Sequence, residues 1–311
     1  MDQITDILVI VNPLVRDQTA IEKAAALARW LGAGIELLVC DTKSARETHM
    51  EGELPPLSNA LLNDNLDSLL EQLAEPLRDD GLDVTTHLIS GDPLHETVIH
   101  WMRDSPADVV VKDTHHHPFA ERAFATSTDW HLIRTCAVPL LLTKPKSWGS
   151  PPVLMAAVDP GHVNDAPAAV DHRILDVAAS MAKRIGAKLQ AIHAYLPATI
   201  ATAAVGGMPP MIGMSAEALA SEQELRRWQI KRLTDEFGIL DEYLHVDPGI
   251  AAEYVPRMAA ECHADIVVMG AISRSGLKRL LIGSTAERVL ETLPCDVLVV
   301  KPPDFAQNLP F

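Results

Sequence analysis

Short apolar runs rich in β-branched residues alternate with longer segments of helical periodicity along the whole chain. Most of the runs are uninterrupted, which is typical of strands covered on both faces of a parallel sheet. The predicted strands are Ile7–Val11, Ile35–Cys40, Val84–Ile89, Val109–Val111, Leu140–Thr143, Val153–Val158, Leu189–Ala194, Tyr243–Val246, Ile266–Met269 and Val297–Val300. The predicted helices include Ala20–Leu31, Leu61–Leu77, Ala168–Ile185 and Ala216–Phe237. This alternation predicts an α/β fold.

The second half of the chain repeats the first. The segment ADVVV at 107–111 recurs as ADIVV at 264–268, a shift of 157 residues, and VNP at 11–13 has its counterpart in VDP at 158–160. We therefore predict two tandem, doubly wound, five-stranded parallel-sheet domains of the Rossmann-like type, over residues 1–146 and 152–311. In such domains ligands bind beyond the carboxyl ends of the strands.

Charge and cysteine content narrow the classes of partner. The 311 residues include 26 basic and 42 acidic ones, a formal charge of −16 that would repel nucleic acid and anionic membrane surfaces. Four widely spaced cysteines form no CxxC pair, and the chain starts without a basic segment followed by a long apolar run. We expect a cytoplasmic protein with no nucleic-acid partner and no membrane insertion.

One loop of the second copy has the features of a phosphate site. The segment 270–290 follows a predicted strand and places Gly283 and Ser284 at the start of a helix, where backbone N–H groups and the helix dipole favour anions. From Ile266 to Ala286 there are three basic residues, Arg274, Lys278 and Arg279, and no acidic one. The alternative is an ordinary glycine-containing surface loop with solvated basic residues.

The same residues carry a family resemblance. VDP after the first strand of the copy, ADIVVMG with Gly270, then Gly283-Ser284 and CDVLVVKP resemble the universal stress protein family, and most closely its tandem two-domain members. Nucleotide-binding members have the motif G-x2-G-x9-G-(S/T). Here Ser273 stands in place of the second glycine, and the other motif positions match.

The resemblance implies that the second domain binds ATP or another adenine nucleotide, with Mg²⁺ accompanying the phosphates. It implies contacts to the base or ribose from Ala157, Asp159, Ala194 and Met269, and contacts to ribose and phosphates from Gly270, Ser273, Arg274, Gly283, Ser284 and Thr285. It further implies a stress-response role, and domain pairing that would give an intramolecular pseudo-dimer or a homodimer. No general base is evident beside the loop, so we expect a regulatory or protective protein that is at most a slow ATPase.

The first copy lacks these features and offers a different chemistry. Asp113 stands where the second copy has Gly270, and the basic and acidic residues between Val109 and Thr128 are equal in number. Asp113, His115 and His117 could bind Zn²⁺ as the centre of a metal-dependent hydrolase. The alternative is a polar loop or a hydrogen-bonded structural cluster.

A third hypothesis concerns the apolar segment 198–214, which contains three methionines and two prolines: Met208, Pro209, Pro210, Met211 and Met214. It could line a site for an acyl or lipid-like ligand, or cover the second-copy pocket, or pack against its own domain. The chain contains no GxxxxGK(S/T), GxGxxG or GxSxG motif, so P-loop, dinucleotide and serine-hydrolase chemistry are unsupported.

Overall fold

The computed structural model of the chain describes residues 4–13, 17–42, 59–114, 127–160, 168–197, 216–271, 282–302 and 305. For residues 59–64, 127, 168–169 and 216 it describes the backbone alone. These residues divide into two compact units, one ending at Lys146 and the other beginning at Ser147. Both are α/β units, as the alternation of elements predicts.

The first unit has a parallel sheet in the order β3-β2-β1-β4-β5. Its elements along the chain are β1 (Asp6–Val11), α1 (Thr19–Leu31), β2 (Gly34–Asp41), α2 (Asn59–Asp79), β3 (Val84–Ser90), α3 (Leu94–Asp104), β4 (Val109–Asp113), α4 (Ser127–Thr135) and β5 (Leu140–Thr143). The order reverses beside β1, and this reversal creates the crevice in which doubly wound sheets bind ligands.

The second unit repeats this topology in the order β10-β9-β6-β7-β8. Its elements are β6 (Val153–Ala157), α5 (Ala168–Ile185), β7 (Lys188–Tyr195), α6 (Ala216–Thr234), β8 (Leu244–Pro248), α7 (Ala251–Glu261), β9 (Ile266–Gly270), α8 (Ser284–Thr292) and β10 (Asp296–Val300). Short 3₁₀ helices occupy Asp235–Phe237 and Asp241–Tyr243.

The core of each unit is the sheet itself. The central strands β1, β4, β6 and β9 are buried along nearly their whole length, which explains why they are continuous apolar runs. The helices cover them with one apolar face, as in α1, where Ala24, Leu27 and Leu31 are buried. Removal of this apolar surface from water is the main stabilising contribution to such a core.

Two predicted boundaries are wrong because a short 3₁₀ helix takes the place of the expected element. The helix predicted to end at Phe237 ends at Thr234, whose buried hydroxyl donates to the Ile230 carbonyl at 3.0 Å, and a 3₁₀ turn closes on Gly238 with a positive φ of 69°. The strand predicted from Tyr243 begins at Leu244, because Tyr243 belongs to the second 3₁₀ helix.

Candidate functional site

The second unit gathers the predicted site residues at the carboxyl edge of its sheet. Parallel pairing sets Ala157 beside Met269 on one side and beside Ile192 on the other. The next strand places Val300 beside Gly270. Ala157, Ala194 and Gly270 are half-buried at this edge, whereas the Met269 side chain is buried beneath it. The pairing thus brings residues from distant parts of the chain to one crevice.

A backbone hydrogen bond joins the end of β9 to the start of α8. The Gly283 N–H donates to the Ala271 carbonyl at 3.1 Å, so Gly270 and the first turn of α8 become neighbours. Gly283 is the N-cap of α8, and it offers no side chain to cap the helix. Ser284 and Thr285 follow it and are exposed. Two exposed hydroxyls therefore lie beside Gly270 at a helix N-terminus, where the first N–H groups have no partner within the helix.

Gly270 is tightly enclosed on the other side. A Cβ atom at this position would lie 2.9 Å from Val170 Cγ1 and 3.7 Å from Ile174 Cδ1, both on α5. A contact of 2.9 Å is closer than side chains accept, so the packing of α5 on the sheet requires glycine at the end of β9. The residue therefore has a packing role as well as a place at the edge.

The peptide group between Val158 and Asp159 is held by hydrogen bonds at both its C=O and its N–H. The Asp159 N–H donates to Asp171 Oδ1 at 3.0 Å, and the carbonyl of the preceding residue, Val158, accepts from His193 Nδ1 at 3.0 Å. The Asp159 carboxylate is 40% exposed, and Oδ1 lies 3.9 Å from His193 Nδ1. This separation exceeds a hydrogen bond, so His193 contacts the backbone before Asp159 and not its carboxylate.

A second polar group lies at the ends of β7 and β8. The Tyr254 hydroxyl donates to Asp247 Oδ2 at 2.5 Å, and Gln223 Nε2 donates to Oδ1 of the same carboxylate at 3.3 Å. Burial and the neighbouring carboxylate raise the pKa of Tyr254. Tyr195 is buried at the end of β7 with the Arg226 guanidinium 5.7 Å from its ring centre. Sequence reasoning did not identify this group.

The corresponding edge of the first unit is filled by its own side chains. Asp113, in the place of Gly270, accepts from Thr143 Oγ1 at 2.6 Å. Lys112 Nζ lies 2.7 Å from Asp129 Oδ1, and Lys23 Nζ donates to the Lys144 carbonyl at 2.7 Å. All five side chains are buried. Burial raises the pKa of Asp113, although hydrogen bonds and the two ammonium groups oppose the shift.

The predicted metal ligands are only partly covered by the structure. Asp113 is described with the partners above, whereas His115 and His117 lie outside the described residues. Across the described ranges, no three His, Cys, Asp or Glu side chains lie together in a way that could hold a metal ion. Two other histidines of this unit, His95 and His131, stack with their ring centres 4.1 Å apart.

The phosphate side of the predicted nucleotide site is likewise incomplete. Ser273 and Arg274 lie outside the described residues, as does the apolar segment 198–214. The sequence did point to Asp159, Gly270 and Gly283, which the structure places along one edge. It did not point to His193 or Asp171. The signal available for His193 was a histidine inside the otherwise apolar run AIHAY of a predicted strand.

Comparison with known sequences identifies the family. The sequence model of the Universal stress protein family matches residues 4–144 and again residues 163–301. The chain belongs to the universal stress protein family. Its two matches correspond to the two copies that the internal repeat predicts.

Two relatives align over almost the entire chain. Universal stress protein E of Escherichia coli (strain K12) is 26% identical over 304 residues, which span 96% of this chain and 95% of that protein. The Universal stress protein E homolog of Haemophilus influenzae is 24% identical over an alignment that spans 96% of this chain and 97% of that protein.

Solved structures agree with the fold. A functionally unknown protein from Pseudomonas aeruginosa PAO1 superposes with a TM-score of 0.75 at 28% identity, over 98% of this chain and 95% of the other. A universal stress protein from Archaeoglobus fulgidus superposes with a TM-score of 0.63 at 15% identity, over 97% of this chain and 98% of the other. The doubly wound tandem fold predicted from the sequence is therefore confirmed.

Length and hydropathy of the helices give one further finding. Within the part of the chain that the structure describes, we find no helix that is both long enough and apolar enough to cross a bilayer.

Proposed function

We propose that the second unit binds an adenine nucleotide at the carboxyl edge of its sheet. Asp159 would accept a hydrogen bond from the base or the ribose, and the first turn of α8 would face the phosphates. The observation that carries the proposal is the hydrogen bond of 3.1 Å between Gly283 and Ala271, because it sets a helix N-terminus against the end of β9. Helix N-termini of this kind favour phosphate.

The contrast between the two units supports the same assignment. In the first unit, a buried carboxylate, Asp113, and two buried ammonium groups, Lys23 and Lys112, occupy the edge. In the second unit, the equivalent of Asp113 is Gly270, and the equivalent of Lys112 is Met269. In the first unit a nucleotide phosphate would compete with the Asp113 carboxylate for the two ammonium groups. The second unit has no such carboxylate at this position. We therefore assign the nucleotide to the second unit alone.

The chemistry of the edge favours binding over turnover. Asp159 is a carboxylate at this edge, and its neighbours His193 and Asp171 hold backbone atoms. Rapid phosphoryl transfer needs in addition a positioned base or water and groups that stabilise the transferring phosphate. We infer a regulatory or protective protein of the stress response, acting in the cytoplasm, whose occupancy by nucleotide matters more than hydrolysis.

Calorimetric titration with ATP, ADP and AMP, each with and without Mg²⁺, tests the proposal. The informative variant is Gly283→Asp, since aspartate is a good N-cap and should preserve α8 while placing a negative charge at the phosphate position. We expect its affinity for ATP to fall at least tenfold, about 1.4 kcal/mol or more, and the loss to decrease from ATP to AMP.

The matched control is Gly283→Asn, which has nearly the same shape and capping ability without the charge. It should bind ATP more tightly than Gly283→Asp. Absence of heat at millimolar ATP with the unaltered protein would contradict the proposed function. Equal affinities for the Asp and Asn variants would contradict the phosphate position.

A further inference from the structure

His193 is a buried imidazole that the packing of the fold does not require. It is 3% exposed on β7, next to the strand that ends at the proposed site. Since Ala157 pairs with Ile192, the residue opposite Val158 is His193; in the first unit the pair Val11 and Val39 occupies the same place. Val39 is fully buried there. The fold thus accepts valine at this position, and burying an imidazole instead carries a desolvation cost.

The contact made by His193 indicates why an imidazole is buried here despite its desolvation cost. Its Nδ1 lies 3.0 Å from the Val158 carbonyl, and because a carbonyl can only accept, Nδ1 carries the hydrogen. The carbonyl belongs to the peptide group that leads directly into Asp159, whose own N–H is held by Asp171 at 3.0 Å. Two side chains, one from β7 and one from α5, therefore hold both polar atoms of the single peptide group that precedes Asp159.

The Asp159 side chain itself is 40% exposed at this edge of the sheet. Oδ1 is 3.9 Å from His193 Nδ1, too far for a hydrogen bond, so His193 acts on the backbone that carries the carboxylate and not on the carboxylate itself. A binding group held by a rigid supporting residue loses less conformational entropy when it meets its ligand. The first unit has Asn12 in place of Asp159 and lacks the imidazole, so both features occur together in one unit.

We propose that His193 is a positioning residue for nucleotide binding, which holds Asp159 in place through the Val158 carbonyl. This inference rests on the proposed nucleotide function of the second unit. It assigns His193 no direct contact with the nucleotide, and it makes the contribution of His193 to affinity dependent on Asp159.

The test compares ATP affinities of four proteins by calorimetry: the unaltered chain, His193→Val, Asp159→Asn and the double variant. His193→Val introduces the residue that the first unit has at this place. We expect it to weaken ATP binding about tenfold, in line with the loss of one hydrogen bond at a buried site. In the Asp159→Asn background the same change should have less than a twofold effect, because the residue that it positions has already lost its function.

Two further variants separate positioning from general damage. His193→Asn carries an amide N–H near the place of Nδ1 and should recover affinity to within about threefold of the unaltered protein. His245→Val removes another partly buried imidazole of this unit, one near the start of β8 that contacts Gln190 at 2.7 Å, and should leave ATP affinity unchanged.

The outcomes distinguish this inference from the function on which it rests. If the unaltered chain gives no heat with ATP, both fail. If it binds ATP but His193→Val binds equally well, or loses the same factor in the Asp159→Asn background, the positioning role alone is overturned. If His193→Val does not fold, the unaltered chain and Asp159→Asn are each titrated with ATP while the imidazole ¹⁵N resonances are recorded. A shift at His193 that disappears in Asp159→Asn supports the inference, and no shift overturns it.

Discussion

The Lys112 ammonium lies 2.7 Å from the Asp129 carboxylate, and both side chains are almost fully removed from solvent in the first unit. At the corresponding positions of the second unit, 157 residues later, stand Met269 and Ala286. One copy of the fold therefore contains a buried ion pair where the other contains apolar side chains. Burying two charges costs desolvation energy that their attraction only partly returns.

Breaking this ion pair from one side should destabilise the first unit strongly. Lys112→Met leaves the Asp129 carboxylate buried without its ammonium, and we expect the free energy of unfolding to fall by about 3–5 kcal/mol. Lys112→Met combined with Asp129→Ala introduces both residues of the second copy and should recover most of this loss. Urea unfolding of the unaltered protein, the two single variants and the double variant measures the differences. A double variant that loses the sum of the two single losses would contradict this account.

The fold follows from the sequence to a large extent because the core is the sheet. A run such as Ile7–Val11 is apolar at every position since both faces of β1 are covered, and the observed strand, Asp6–Val11, differs by one residue. The repeat then predicts the second sheet from the first. The prediction of a strand at Tyr243 is wrong, because an aromatic residue favours a strand locally while the chain closes a 3₁₀ turn there.

The site was predictable only where chain order determines proximity. Gly270 and Gly283 could be expected at one edge, since one ends a strand and the other begins the following helix. The contacts of Lys112 with Asp129 and of His193 with Val158 depend on packing and register between separate elements. Residue types alone do not specify these, because many lysines, aspartates and histidines are available as partners. Residues 273 and 274 stay predictions, as they lie outside the described residues.

The stacked pair His95 and His131 should make the first unit sensitive to mild acid. Burial, and secondly the neighbouring His131, lower the pKa of His95, while Glu96, with an oxygen 4.0 Å away, opposes the shift. Below about pH 6.5 the unfolded chain then binds more protons at His95 than the folded chain, so the free energy of unfolding decreases as the pH falls. His95→Gln should lose less stability than the unaltered protein between pH 7.5 and pH 5.

Urea unfolding across that pH range checks the difference, and parallel curves for the two proteins would refute it. NMR titration gives a direct test of the cause. His131→Gln removes the neighbouring imidazole and should raise the pKa of His95, while burial should still hold it below the ordinary value. An unchanged pKa would show that His131 does not contribute.

The Tyr254 hydroxyl should stabilise the second unit through its hydrogen bond of 2.5 Å to Asp247, which ties α7 to the end of β8. Tyr254→Phe keeps the buried ring and removes this donor. A hydrogen bond to a charged acceptor contributes about 1.5–3 kcal/mol, and Gln223 still donates to the other carboxylate oxygen, so we expect a loss near the lower value. Thermal unfolding measures it. Gln223→Leu in the same background should cost further stability, and additivity of the two changes would argue against a shared carboxylate.

Gly270 should tolerate even one added methyl group poorly. The Cβ of alanine would lie 2.9 Å from Val170 Cγ1, and the β-branched valine on α5 has little rotamer freedom with which to withdraw. We expect Gly270→Ala to lower the free energy of unfolding by about 1–3 kcal/mol, as overpacked cores do. Adding Val170→Ala removes the contacting methyl and should make Gly270→Ala much less costly than it is alone. Urea unfolding of the single and double variants tests this, and an equal cost of Gly270→Ala in both backgrounds would show that the strain arises elsewhere.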